Sequence, residues 1–147
     1  MPIRKKLLTI AAAIALAMPP AAALAAVALA VGTTSDPGAG IAFGYSYNYD
    51  SEEEAKRTAM ESCRSYEAAP NAAKLCALFG SLKKGCVAMA FDPKDDSPGM
   101  GWAVAEKREV AESRAIAACR KVAPSARRQF CKIDTIKCDG DAPPKKE

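Results

Sequence analysis

The chain writes one pattern twice, and each copy closes on a cysteine. Gly44 to Cys63 reads GYSYNYDSEEEAKRTAMESC, and Gly101 to Cys119 reads GWAVAEKREVAESRAIAAC, one residue shorter. In both, a Gly-aromatic pair opens an extended run, charged residues start a helix, and the helix ends on the cysteine. Any fold for this chain has to be built from two equivalent units stapled at equivalent places.

The repeat reaches beyond that stretch. Val27-Ala28-Leu29-Ala30-Val31 matches Val87-Ala88-Met89-Ala90-Phe91, two short aliphatic strands. Turn signals follow each: Asp36-Pro37-Gly38 in the first half, Asp92-Pro93 and Ser97-Pro98-Gly99 in the second. Extended runs come next, Ile41 to Tyr49 and Met100 to Ala105, in which large residues alternate with small ones. Phe43, Tyr45, Tyr47 and Tyr49 share one face, as Met100, Trp102 and Val104 do in the second copy. Helices are expected over Glu52–Tyr66 and Glu109–Val122, with Pro70 and Pro124 ending each helical possibility. Cysteine-bearing strands follow, Leu75–Leu82 and Phe130–Lys137, and Lys83-Lys84-Gly85 forms the turn between halves.

The first helix has a capping box, Ser51 with Glu54 three residues on, and Glu52 to Glu54 place negative charge at its positive end. Lys107 stands at the Ser51 position of the second copy, so that box is absent. Both helices carry a small-residue seam that ends in cysteine, Ala55-Ala59-Cys63 and Ala111-Ala115-Cys119, as close packing on a sheet requires.

The N-terminus reads as an export signal. Arg4, Lys5 and Lys6 precede the apolar run Leu7–Met18, Pro19-Pro20 breaks it, and Ala23-Leu24-Ala25 offers a cleavage site. The run is shorter than the roughly 20 residues that cross a bilayer. Residues 1–25 are therefore expected to be a signal peptide, with a retained anchor as the alternative because Ala21–Val31 is also apolar. Residues 26–138 are then the domain, with repeats at about 27–82 and 86–138, and 139–147 a disordered tail. Cleavage removes three of 21 basic residues and lowers the net charge from +4 to +1. That balance gives no reason to expect nucleic acid, and no later segment is apolar enough to span a membrane.

Six cysteines in an exported chain read as three disulfides. There is no histidine and no CxxC, so a metal site is the weaker reading. If the halves are related by a pseudo-twofold, the favoured set is Cys63–Cys76, Cys119–Cys131 and Cys86–Cys138, with the third tying the halves together. A swapped set, Cys63–Cys131 with Cys76–Cys119, satisfies the same symmetry. Each bridge is expected to add about 2–4 kcal/mol.

Each half resembles a unit of the family called domain of unknown function 4189, found in exported bacterial proteins. The resemblance rests on the Ala-rich strand, the openings Gly44-Tyr45 and Gly101-Trp102, and the Ala-x-x-x-Ala helix ending in Cys-Arg. A later cysteine before another strand completes it. It covers about Val27 to Cys138 and implies secretion, disulfides and a small α+β domain, with no catalytic residues to carry over.

Without histidine, Ser-His-Asp and Cys-His nucleophile systems and HExxH zinc sites are excluded. Asp92, Asp95 and Asp96 form the densest acidic turn. They are either a solvated turn or a carboxylate group for calcium or glycosidase chemistry. Tyr45, Tyr47, Tyr49 and Trp102 are either a recognition surface or, for Tyr45 and Trp102 with Phe43, packing beneath the helices. A basic run, Arg120, Lys121, Arg127, Arg128, Lys132 and Lys137 against Asp134 alone, would suit an anionic partner or be a solvated face.

The fold expected is α+β, two ββαβ repeats forming a mainly antiparallel sheet with two helices on one face and three disulfides. The function expected is a periplasmic or secreted, non-enzymatic binding protein that needs no cofactor. Its partner would be another protein or an anionic envelope component. Candidate contacts are Tyr47, Tyr49, Arg120, Lys121, Arg127, Arg128 and Lys132. A small cell-wall glycan hydrolase working through Asp92, Asp95 or Asp96 is the alternative, and a purely structural envelope protein a third. The sequence leaves oligomeric state open.

Overall fold

A computed structural model describes residues 25–142; the expected signal peptide lies, but for Ala25, outside the described residues. The first repeat runs β1 (Ala26–Thr33), β2 (Ile41–Tyr49), α1 (Glu52–Arg64), a short α2 (Pro70–Ala73) and β3 (Ala77–Lys83). The second runs β4 (Cys86–Phe91), β5 (Met100–Ala105), α3 (Arg108–Val122), a 3-10 turn (Ser125–Phe130) and β6 (Lys132–Cys138). The class is α+β, the ββαβ order repeats, and three disulfides are formed.

The layering differs from one shared sheet. The six strands form two antiparallel sheets of three, ordered β2-β1-β3 and β5-β4-β6. Each helix covers the outer face of its own sheet, and the inner faces pack on each other. The cause lies in β1 and β4, which are apolar on both faces. Ala26, Ala28 and Ala30 meet α1, while Val27, Leu29 and Val31 meet Val87 and Met89 of the other sheet. Helices on one common face would have left the larger side chains in water. Burying each Val, Leu or Met contributes about 1.5–3 kcal/mol before entropy is charged against it.

The sorting of side chains by size follows from this arrangement. Gly44 and Gly101 sit on the helix side, directly under the backbone of α1 and α3. The seams Ala55-Ala59-Cys63 and Ala111-Ala115-Cys119 are fully buried above them. Phe43, Tyr45 and Trp102 do not lie beneath the helices; they pack between the sheets, because only that gap has room for rings.

Register pairing shows how strictly the halves correspond. Leu29 faces Tyr45 and Ala30 faces Gly44, as Met89 faces Trp102 and Ala90 faces Gly101. The extra residue of the first copy is absorbed between Ala26 and Ala28, where the register against β2 shifts. There Asn48 adopts a left-handed backbone (φ 63), which asparagine tolerates better than most residues. The shift turns Tyr49 to the helix side while Tyr47 stays between the sheets, so the two do not share a face as their alternation predicts.

Ser51 caps α1, its hydroxyl accepting from the Glu54 amide at 3.2 Å, whereas Lys107 provides no side-chain cap for α3. The two prolines open helical segments instead of ending them. Pro70 is the first residue of α2 and Pro124 precedes the 3-10 turn, places where a missing amide costs nothing.

The cysteines pair as Cys63–Cys76, Cys119–Cys131 and Cys86–Cys138, the set favoured from the sequence. The role expected of the third is corrected. Cys86 and Cys138 face each other across β4 and β6, so this bridge lies inside the second repeat. Their counterparts in the first sheet are Ala26 and Lys83, which also face each other. No disulfide crosses from one half to the other.

The start of the tail crosses instead. Asp139 to Ala142, expected to be disordered, are held by hydrogen bonds, and residues 143–147 lie outside the described residues. Asp139 accepts from the amides of Asn48 (2.8 Å) and Gly85 (3.0 Å). The Asn48 side chain accepts from the Gly140 amide (2.6 Å) and donates to the Asp141 carbonyl (2.7 Å). The Asp141 carboxylate takes Arg108 with both oxygens at 2.9 Å. The one residue that the second copy lacks is thus the residue that grips Asp139, Gly140 and Asp141.

Candidate binding groove

The expected acidic turn is a closed structural loop. Asp92 is buried, and its carboxylate accepts from Arg127 Nε (3.0 Å) and Nη2, the Ser97 hydroxyl (2.6 Å) and the Lys94 amide (3.3 Å). The Asp92 amide closes the loop on the Gly99 carbonyl at 2.8 Å. The Arg127 guanidinium above all, with the Ser97 hydroxyl and Lys94 amide, outweighs burial and holds Asp92 well below the usual carboxylate range. A carboxyl so occupied is neither a proton donor nor an open metal ligand. Asp95 and Asp96 are exposed beside it, and no metal-binding cluster occurs among the described residues.

Stability should follow this pair. A lowered carboxylate pKa adds stability above the ordinary aspartate value of about 3.9, lost as pH falls from there toward the folded value. Wild-type melting temperature should therefore drop steeply below about pH 4, and Asp92→Asn should flatten that slope. At neutral pH, Arg127→Ala should lower the melting temperature more than Arg127→Ala with Asp92→Asn, since the single change strands a buried charge. Equal losses would show the pair to be uncoupled.

The candidate contacts do not form one surface. Arg127 is consumed by Asp92 and also lies over the Phe130 ring at 4.2 Å. Tyr47 is half-buried between the sheets, with Lys137 5.8 Å over its ring, and Tyr49 packs toward α1. Arg128 and Lys132 are exposed, Lys132 at the first residue of β6. Arg120 and Lys121 are exposed in the last turn of α3, where they complement the helix dipole. β2 lies against β6 and β3 against β5, so Lys132 and Tyr47 belong to one side of the stacked sheets. Lys121 belongs to the other.

On that second side is a groove of about 570 Å3. Phe79 of β3, Met100 and Trp102 of β5, and Lys121 and Val122 of α3 line it. Phe79 and Val122 are about half exposed, at 49% and 50%. Phe79 stands edge-on to Trp102, ring centroids 6.2 Å apart, so the groove floor is aromatic and preformed. Of these residues the sequence singled out Trp102 and Lys121.

The equivalent groove of the first repeat is filled. Counting from the seam cysteines, Tyr66 follows Cys63 as Val122 follows Cys119, and the register places Phe43 where Met100 stands. The Tyr66 ring lies on Phe43 with centroids 4.8 Å apart. Val122 is too short to do the same, and the second groove stays open. The signal was present in the aligned copies as a ring in one and an isopropyl group in the other.

These features define a duplicated, disulfide-stapled α+β domain with an apolar groove open to solvent in its second repeat. Three disulfides are the mark of a chain that folds in an oxidising compartment. Among the described residues no helix is long and apolar enough to cross a membrane. A family model described as "Domain of unknown function (DUF4189)" matches residues 13–138, and the chain belongs to that family. No curated protein and no solved structure matches it.

Proposed function

We propose that this is an exported, non-enzymatic binding protein, released by cleavage after Ala25, whose contact surface is the open groove of the second repeat. The observation that carries the reading is the contrast between repeats. One scaffold position is filled by Tyr66 on Phe43 and its twin is left open at Val122 and Met100, with half-exposed aromatic and aliphatic groups around it. Large apolar side chains left in water beside a concave floor favour a partner that covers them. Lys121 at the rim favours one that is anionic there. The occupied state of Asp92 supports a non-enzymatic reading over glycan hydrolysis.

Refilling the groove tests this. Val122→Tyr with Met100→Phe copies the Tyr66–Phe43 pair into the second repeat. A photo-crosslinking residue at Lys121, in protein expressed in its own cell envelope, should form a defined adduct, on a chain whose first residue is Ala26. The refilled variant should form at least about tenfold less, the effect of roughly 1.4 kcal/mol. The same probe at Ser65, the equivalent position of the first repeat, should give none. An adduct indifferent to refilling would overturn the assignment.

A further inference from the structure

We infer that the groove receives an aromatic side chain of an extended acidic polypeptide, and that this polypeptide adds as a strand to the open edge of β3. The inference rests on the groove being the binding site, and it names the occupant.

The protein's own first repeat shows what fits such a groove, because its occupant there is the Tyr66 ring. The open groove offers an apolar floor to match, with Trp102 and Phe79 rings and the Met100 thioether, a side chain that accommodates aromatic partners. Among the described residues Lys121 is the one charged residue lining it, and Lys74, Lys83 and Lys84 flank β3, so acidic groups on the occupant would be complementary.

The edge of β3 carries an independent asymmetry. β3 and β6 are equivalent edge strands, each with one unpaired side. β6 is guarded by Lys132, Asp134 and Lys137, as edges closed to pairing usually are. β3 has no charge before Lys83, and its Ala77, Leu78 and Phe79 are exposed. Phe79 and Asp134 occupy the same place, each the extra residue where the register slips against the central strand. One edge has a carboxylate at its irregularity and the other a ring that forms the groove wall. An extended chain pairing with β3 would run beside that wall and present alternate side chains to it. A second copy fits the charges poorly, since Lys74, Lys83 and Lys84 flank β3 and self-pairing would set them against each other.

The test uses the mature protein and fluorescein-labelled decapeptides with a central tryptophan, glutamates two residues to either side of it on the same strand face and small apolar residues between, read by fluorescence anisotropy. The parent peptide should bind, more weakly as sodium chloride rises. Replacing the central ring by alanine, the glutamates by lysines, or alternate backbone amides by N-methyl amides should each weaken binding at least about tenfold. Val122→Tyr and Phe79→Asp, each the residue that the first or second repeat places at that position, should do likewise while circular dichroism is unchanged and unfolding stays cooperative. Equal affinity of the N-methylated peptide would overturn strand addition, and equal affinity of the lysine peptide would overturn the acidic assignment. No binding of the parent at millimolar concentration would overturn the inference as a whole. So would a dimer in sedimentation that Phe79→Asp dissolves, for the occupant would then be a second copy. If peptides fail while the Lys121 adduct still depends on Val122, the groove stands as the binding site and its polypeptide occupant falls. If the adduct ignores Val122, the groove reading itself falls.

Discussion

Gly101→Ala is expected to destabilise the protein by about 3 kcal/mol, the upper end of what an inserted methyl costs in a packed interior, lowering the melting temperature by roughly 15 °C. A Cβ at this position would lie well inside contact distance of the Ala115 carbonyl oxygen and the Cys119 amide nitrogen. Those are backbone atoms of α3, and no rotamer change moves them away. The helix would have to lift from its sheet, opening the seam at Ala111, Ala115 and Cys119. Gly44→Ala should behave the same way, since its Cβ would meet the Ala59 oxygen and the Cys63 nitrogen. Gly80→Ala is the control: its Cβ would meet the Val104 side chain at 3.5 Å, an ordinary contact, and stability should hardly change. Thermal unfolding of the three variants decides the matter. A mild Gly101→Ala would mean that helix and sheet are not locked at this distance.

Removal of the disulfides should rank by the chain each one closes. Replacing Cys86 and Cys138 by alanine frees a loop with a sequence separation of 52, and the pairs at Cys63–Cys76 and Cys119–Cys131 free separations of 13 and 12. The chain-entropy relation gives about 4 kcal/mol for the first and about 3 kcal/mol for each of the others. The longest loop is therefore expected to be the most sensitive, although its strands are also held by a full antiparallel ladder. Denaturant midpoints of the three double variants under non-reducing conditions test the order. Equal losses would indicate that helix-end contacts, and not unfolded-chain entropy, set the value of each bridge.

What could be read from the sequence was local and repeated. The ββαβ order, the buried seams and the small face at Gly44 and Gly101 are all periodicities over a few residues, and the structure keeps them. Which layer covers which face was not legible, because alternation says that Val27 and Ala28 point oppositely without saying what each will meet. The face of Tyr49 departs from its alternation for a local reason, the register shift beside Asn48, which the one-residue difference between copies marks. The pairing of Cys86 with Cys138 follows from the pseudo-twofold correspondence of the cysteines, but the role of joining the halves does not, because the strand register places the bridge inside one sheet. The basic run lost Arg127 to Asp92, a partner 35 residues away that charge counting does not see. Of the groove, Trp102 and Lys121 were visible as candidates. Phe79 and Val122 were not, since an apolar residue becomes informative only once a fold leaves it exposed.

The lack of any disulfide between the halves has a consequence for how such a molecule can diverge. In a symmetric pair of identical ββαβ units, every substitution is expressed twice, so a change that empties one groove empties both. Joining the units through Lys84 and Gly85 removes that constraint. One repeat can keep its tyrosine and serve as the rigid reference, while the other exchanges it for valine and is free to specialise. Because each half carries its own staples, neither depends on a crosslink to the other to hold its shape while its surface changes.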